Sequence, residues 1–485
     1  MLNMKKFFSI ILMGCALSLF TAKAQLSVSK PAGNGMVLQQ KSEAAMWGNA
    51  ARDAAVTITP SWNGRSIRCR ADKNGRWRTT IKTPAGSYKS YMIKIRSGDR
   101  TVTIDDVLVG EVWLASGQSN MEMPMRGFYN CPVENANEFF ASAPATERIR
   151  MFTVPKKQSY VPLDECEGEW KGAESSTIPD MSATAYFFAL KLNSVLNIPI
   201  GIVCCPYGGA KVESWMPREL LGNYPDIDLT KEGIDKIKRE YLRPMVMYNA
   251  MLHPLVGYTI KGFIWYQGCS NVSTSETYKE RFEKMVSEWR REWGDTGDKL
   301  PFYTVEIAPY RYKDPSEAGN AALLREAQHE AAKEVPNCGI VITNDLVATY
   351  EEDNIHPSRK QPVGNRLAYL ALHRDYGFKM VACYSPTAAK CTRGNGSDEL
   401  AIEFDNAENG MNRWREIEGL EVAGSEGVFY PVTFAYYGWK PKVLRIRSEF
   451  VPDPCEVRYG WGDFRPGNLK SVEGLPVTPF DIKVK

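Results

Sequence analysis

The run Val107-Leu108-Val109-Gly110-Glu111-Val112-Trp113-Leu114-Ala115 is apolar almost without interruption. A strand with one wet face alternates apolar and polar residues, so a run that does not alternate has to be covered on both faces. The run therefore predicts a buried strand inside a layered domain. The downstream segments agree. Helical spacing over Ala183–Leu196, Glu276–Trp293, Ala321–Glu334 and Val363–Asp375 alternates with apolar runs at Ile198–Cys205, Ile260–Tyr266, Phe302–Ile307 and Gly339–Thr343. Such alternation predicts a parallel sheet with helices on both faces.

The flanks read differently. From Leu26 to about Val107 short β-prone runs (Ala55–Thr59, Trp77–Ile81, Tyr91–Ile95) are separated by turn pairs such as Asn63-Gly64 and Asn74-Gly75, the pattern of an all-β module. Beyond about Tyr376 the β character returns. A chain of 485 residues exceeds one core of ~250–300 residues, so several domains are expected. The division expected is residues 25–106 (β-sandwich-like), 107–376 (α/β) and 377–485 (β), with no internal repeat. Residues 1–24 have the layout of a secretory signal: Lys5 and Lys6, an apolar stretch Phe7–Phe20, then Ala22-Lys23-Ala24. Export to the periplasm or the medium is the expectation. Leu12-Met13-Gly14-Cys15 offers lipid anchoring through Cys15 as a minor alternative. No later stretch reaches the ~20 apolar residues of a membrane span. A net charge of +3 gives no reason to expect a nucleic-acid partner. Ten cysteines outside the signal are too few for a disulfide scaffold of this size, and their pairing is not readable. Neither a C-x-x-C pair nor H-E-x-x-H occurs, so no local metal site is expected.

In parallel sheets, reactive groups sit just past the carboxyl ends of strands. After the first apolar run comes Ser116-Gly117-Gln118-Ser119-Asn120-Met121, where Ser119 is a candidate nucleophile, although a serine in such a turn is more often a helix N-cap. A serine nucleophile needs a base. Of four histidines, His329 and His373 lie within helical patterns, and His253 reads as a partly buried packing residue. His356 stands in the polar loop Asp353-Asn354-Ile355-His356-Pro357, where Asp353 could reach the imidazole Nδ1–H and hold one tautomer. Gly208-Gly209-Ala210 and Trp265-Tyr266-Gln267-Gly268-Cys269-Ser270-Asn271 come after two further strands. They offer backbone N–H groups and the Gln267 or Asn271 amides as oxyanion donors. Each loop alone reads more readily as an ordinary turn.

Together these blocks resemble the sialate O-acetylesterase group of the SGNH-hydrolase superfamily. The residues that carry the resemblance are Gly110–Met121, Pro199–Ile202 with Gly208-Gly209, Ile264–Gly268, Leu324–Gln328, and His356-Pro357 with Lys360-Gln361 and Gly364–Ala368. Met36–Gln39, Asp72–Trp77, Tyr459–Trp461, Asn468-Leu469 and Glu473–Phe480 extend it over nearly the whole chain. The resemblance implies a three-layer α/β/α flavodoxin-like domain and a serine esterase without metal or organic cofactor. It implies Ser119 as nucleophile, His356 as base and Asp353 as its orienting acid. The implied oxyanion hole comprises the Ser119 N–H, a glycine N–H at Gly208 or Gly209, and the Gln267 side chain, with Asn271 as alternative. Cys269 stands where the group usually has glutamate, which removes a support expected for Gln267.

The implied substrate is an O-acetylated sialic acid, free or on a glycan. Its carboxylate favours an arginine in the pocket, and Trp215, Trp265 or Tyr266 could stack on a sugar unless they are core residues. Two competing readings remain: an acetylxylan or other polysaccharide acetylesterase, and a carbohydrate-binding protein that does not catalyse.

Overall fold

A computed structural model describes residues 26–485 apart from 143–147, 316, 413–415, 438–439 and 441. The signal segment and Cys15 lie outside the described residues. The non-alternating run falls in one long strand, β1 (Arg100–Gly117), whose last eleven residues are buried. Six more strands complete the α/β sheet: β2 (Ile149–Thr153), β3 (Trp170–Gly172), β4 (Ile200–Pro206), β5 (Gly262–Tyr266), β6 (Phe302–Val305) and β7 (Cys338–Val341). Their order is β3-β2-β4-β1-β5-β6-β7. Every neighbouring pair is parallel except β3 with β2.

Period-two alternation along β1 sends Trp113 and Ala115 to one face and Val112 and Leu114 to the other. The first face is covered by α1 (Ala183–Leu196) and α4 (Lys360–Arg374), through Phe187, Phe188, Leu367 and Leu370. The second is covered by α2 (Ser275–Glu292) and α3 (Ala321–Glu334), with Phe282, Met285, Trp289 and Leu324 packed on Phe263 and Phe302. The result is the expected three-layer α/β/α sandwich. Helix limits agree with the sequence expectation within three residues. The strands β2 and β3, both short, carried no readable signal.

β1 also belongs to the N-terminal module. Its first half pairs with Ser87–Ser97, and Val37–Gln39 runs parallel to Leu108–Gly110. The expected boundary between residues 106 and 107 thus falls inside one strand. There the chain bends at Asp106 (φ 56), a conformation Asp tolerates better than most residues. The buried Arg150 guanidinium holds the bend through the Asp106 carbonyl (2.6 Å) and the Asp106 carboxylate (2.9 Å). One apolar core runs on from the N-terminal strands to the α2–α3 face of the sheet.

The C-terminal residues form two four-stranded antiparallel sheets around a separate core of Leu400, Ile402, Phe404, Val422, Leu444 and Tyr459. They dock on α3, where the buried Arg325 donates to the carbonyls of Gly460 (3.4 Å), Gly462 (2.8 Å) and Asp463 (2.9 Å). Among the described residues, no helix is long and apolar enough to cross a membrane.

Candidate active site

Strand order reverses at β1, which has β4 on one side and β5 on the other. Open α/β sheets bind ligands at the carboxyl end of such a switch point, and that is where β1 ends. Gly117 closes the strand at φ 133, and a β-carbon there would stand 2.2 Å from the Tyr266 carbonyl oxygen, so no side chain fits. Ser119 comes next but one, as the first residue of a single helical turn, Ser119–Glu122, and is partly buried.

The His356 loop is fastened to this turn. Asn120 donates from Nδ2 to the Ile355 carbonyl (3.0 Å) and accepts at Oδ1 from Lys360 Nζ (2.7 Å). His356 itself has a buried Nε2 with no hydrogen-bond partner among the described residues, while Nδ1 faces Cys131 Sγ at 3.9 Å. Phe128 meets the ring edge-on at 5.1 Å. An orphaned, buried ring nitrogen is costly in a folded protein and is a mark of a functional site. Burial, aided by the Lys360 charge, pushes the imidazole down to about 4, so it is neutral and able to accept a proton at ordinary pH. Burial also brings the Lys360 ammonium down to about 7. No hydrogen bond joins Ser119 to His356 in this structure; catalytic contacts of this kind commonly close only around substrate.

Asp353 departs from its expected contact. Its exposed carboxylate pairs with Arg311 (2.6 Å) and Lys313 (3.1 Å), and the Arg311 and Lys313 hydrogen bonds hold its carboxyl below the usual range. No hydrogen bond to His356 is made. The neighbouring Asn354 shapes the loop instead, accepting the His356 N–H at 3.0 Å.

The glycine loop is where it was expected. A β-carbon on Gly208 would lie 3.5 Å from Ser119 Cβ, which puts the loop directly beside the serine. The Gly208 N–H is taken by the Glu122 carboxylate at 2.5 Å, and Glu122 pairs with Lys156 at 2.6 Å. Gly209, at φ 78, has its carbonyl held by Ser270 Oγ.

Gln267 and Asn271 are fully buried and committed elsewhere. Gln267 donates to the Ala210 carbonyl (3.1 Å) and to Asn271 Oδ1 (2.8 Å), and accepts from Tyr278. Asn271 Oδ1 also receives the Val212 N–H, while its amide donates to Glu213. Both amides therefore lie beneath the glycine loop and support it, in place of the expected direct contact with an oxyanion. Cys269 is buried, and burial pushes its thiol up to about 11, so it does not compete as a nucleophile. Trp215, Trp265 and Tyr266 are all core residues, at most 1% exposed. His253 and His373 bond backbone carbonyls and His329 pairs with Glu306. Sequence reasoning did not single out Asn120 or Glu122 for a role, nor Lys360 beyond its place in the resemblance; their partners lie in distant segments.

Residues 109–373 match the family model for carbohydrate esterases of the sialic acid-specific acetylesterase type. The chain belongs to this carbohydrate esterase family. The sialate O-acetylesterase of Mus musculus is 27% identical over 431 residues, covering 77% of each chain. That of Homo sapiens is 27% identical over 402 residues, covering 74% of this chain and 72% of its own. A solved carbohydrate acetylesterase from Xanthomonas citri superposes with a TM-score of 0.82 at 30% identity, over 94% of this chain and 99% of that one. As a carbohydrate esterase, the chain is a carboxylic ester hydrolase with an α/β sheet and added β modules. The serine turn, the glycine loop and the His356 loop all fall inside the matched residues.

Proposed function

We propose that this esterase removes O-acetyl groups from sialic acid, with Ser119 as nucleophile and His356 as general base. The observation that carries the catalytic assignment is the buried, partnerless Nε2 of His356 on a loop fastened to the Ser119 turn. The substrate rests on family membership and on the sialate O-acetylesterases it resembles.

Ser119 Oγ attacks the acetyl carbonyl as His356 Nε2 takes its proton. The carbonyl oxygen becomes an oxyanion facing the Ser119 and Gly209 N–H groups, neither of which makes a hydrogen bond among the described residues. The Gly208 N–H joins them once Glu122 withdraws. Collapse expels the sugar hydroxyl with the proton from His356, leaving acetyl-serine. Water, deprotonated by His356, then releases acetate and restores the serine. For Asp353, orientation of the imidazole requires release from Arg311 and Lys313. Export by way of residues 1–24 is part of the same proposal, and a mature N-terminus at Gln25 in the exported protein would support it.

The test is acetate release from an aryl acetate and from 9-O-acetylated sialic acid by wild type and Ser119→Ala. Release from both, lost in the variant, is expected. Release from the aryl acetate and acetylated xylan but not from sialic acid would move the substrate to another glycan. Undiminished release by Ser119→Ala would overturn the serine mechanism.

A further inference from the structure

Beside the serine turn, on the side where Glu122 lies, a cleft of about 370 Å³ opens between residues 156–160 and 240–246. Its walls include Lys156, Lys157, Gln158, Tyr207, Glu240 and Arg243. Two short links join it to the reacting centre. Tyr207 immediately precedes Gly208, and the Lys156 ammonium pairs with the same Glu122 carboxylate that holds the Gly208 N–H next to Ser119.

Three cations face one carboxylate in this lining. Arg243 is already committed, with Nε on the Ile237 carbonyl (3.2 Å) and Nη1 on Glu240 (3.2 Å). Lys156 is paired with Glu122. Lys157 is exposed and makes neither an ion pair nor a hydrogen bond among the described residues. The floor is ordered: Gln158 Nε2 donates to the Tyr207 hydroxyl at 3.1 Å, and Lys156 Nζ lies 5.3 Å from the Tyr207 ring centre. A cation without an ion-pair partner among the described residues, on a fixed polar and aromatic wall at one end of an ester-cleaving centre, suits an acidic sugar far better than a neutral one.

We infer that this cleft is the carboxylate subsite, where Lys157, flanked by Lys156, receives the substrate's carboxylate while Ser119 works on the acetyl ester. The inference rests on the sialate reading above and deepens it. The cation it assigns is a lysine, because the nearby arginine is bound to its own neighbours.

The test compares acetate release from 9-O-acetylated sialic acid with release from the same sugar carrying a neutral C1 amide. The ratio of the two kcat/KM values is read for wild type, Lys157→Gln and Lys157→Arg. The ratio should fall about fivefold in Lys157→Gln, the size expected of one exposed charge contact, and recover in Lys157→Arg. Added salt should lower the ratio in wild type and leave it nearly flat in Lys157→Gln. A ratio unmoved by Lys157→Gln, with sialate still turned over, would overturn the subsite alone. Turnover of aryl acetate with neither sialate ester cleaved would overturn the sialate reading and the subsite together.

Discussion

The Lys360 ammonium gives the sharpest test of the site's electrostatics. It is 1% exposed, donates to the Asn120 amide oxygen, and has no carboxylate in an ion pair with it among the described residues. Burial lowers it from 10.5 to about 7. Between those values the unfolded chain holds a proton that the folded chain has lost, so the stability of wild type rises with pH across that window. At about 1.4 kcal/mol per pH unit, the gain between pH 7 and pH 9 is ~2 kcal/mol once the half-titrated start is allowed for. Lys360→Met removes this slope. It also leaves the Asn120 oxygen unpaired, an offset that does not change with pH. Differential scanning calorimetry of both proteins at pH 7 and pH 9 isolates the effect as a difference of differences. The midpoint of the catalytic transition should climb roughly 5 °C more in wild type than in the variant. Parallel midpoints at the two pH values would refute the argument, because the amine would then be titrating as it does in water.

Three further outcomes are expected of the same site and its surroundings. With His356 held at about 4, roughly 97% of it is neutral at pH 5.5, against roughly 10% for an ordinary imidazole, so kcat/KM on a neutral aryl acetate should barely fall from pH 8 to pH 5.5. A tenfold loss over that range would contradict the burial argument. Asp353→Asn should lower kcat by ~100-fold or more with little change in KM if Asp353 leaves Arg311 to orient His356; a loss under threefold would assign it to the loop's ion pairs alone. Arg325→Met leaves the carbonyls of Gly460, Gly462 and Asp463 short of a donor and should destabilise the docking of the C-terminal module by about 3 kcal/mol, measured as earlier proteolytic release of that module.

The layered fold was legible because β1 carries its message locally: apolar residues on both faces can only mean cover on both faces. Helices α2 and α3 were legible for the same reason, their apolar stripes being written at a single period, whereas α1 is buried without a break over Ala183–Ala189. Strands β2 and β3 were not legible, being short, one of them with Arg150 as its second residue and both committed by their neighbours. At the site, Ser119 and the Gly208 loop could be found from strand ends, and His356 from its polar loop. What escaped depends on contacts between segments far apart in the chain. Asn120 and Lys360 meet only after folding. Asp353 sits at the right spacing from His356, yet Arg311 and Lys313 arrive from another loop and claim it. Gln267 and Asn271 have the right chemistry for an oxyanion, but a short 3₁₀ turn folds one amide onto the other.

The place of β1 in the sheet also bears on how the enzyme is made. It is the first strand of the α/β sheet in the chain, so on the export route proposed above it also emerges first, and its two neighbours, β4 and β5, come much later. Until Gly262–Tyr266 has emerged as well, an apolar ribbon has at least one bare edge along the half that leads to Ser119, a state prone to pairing with another unfolded chain. Its other half has no such wait, because Ser87–Ser97 precedes it and can zip to it at once, as Val37–Gln39 can to Leu108–Gly110 where the two halves join. The N-terminal module is thus positioned to chaperone the strand in cis, whatever it does in the finished enzyme.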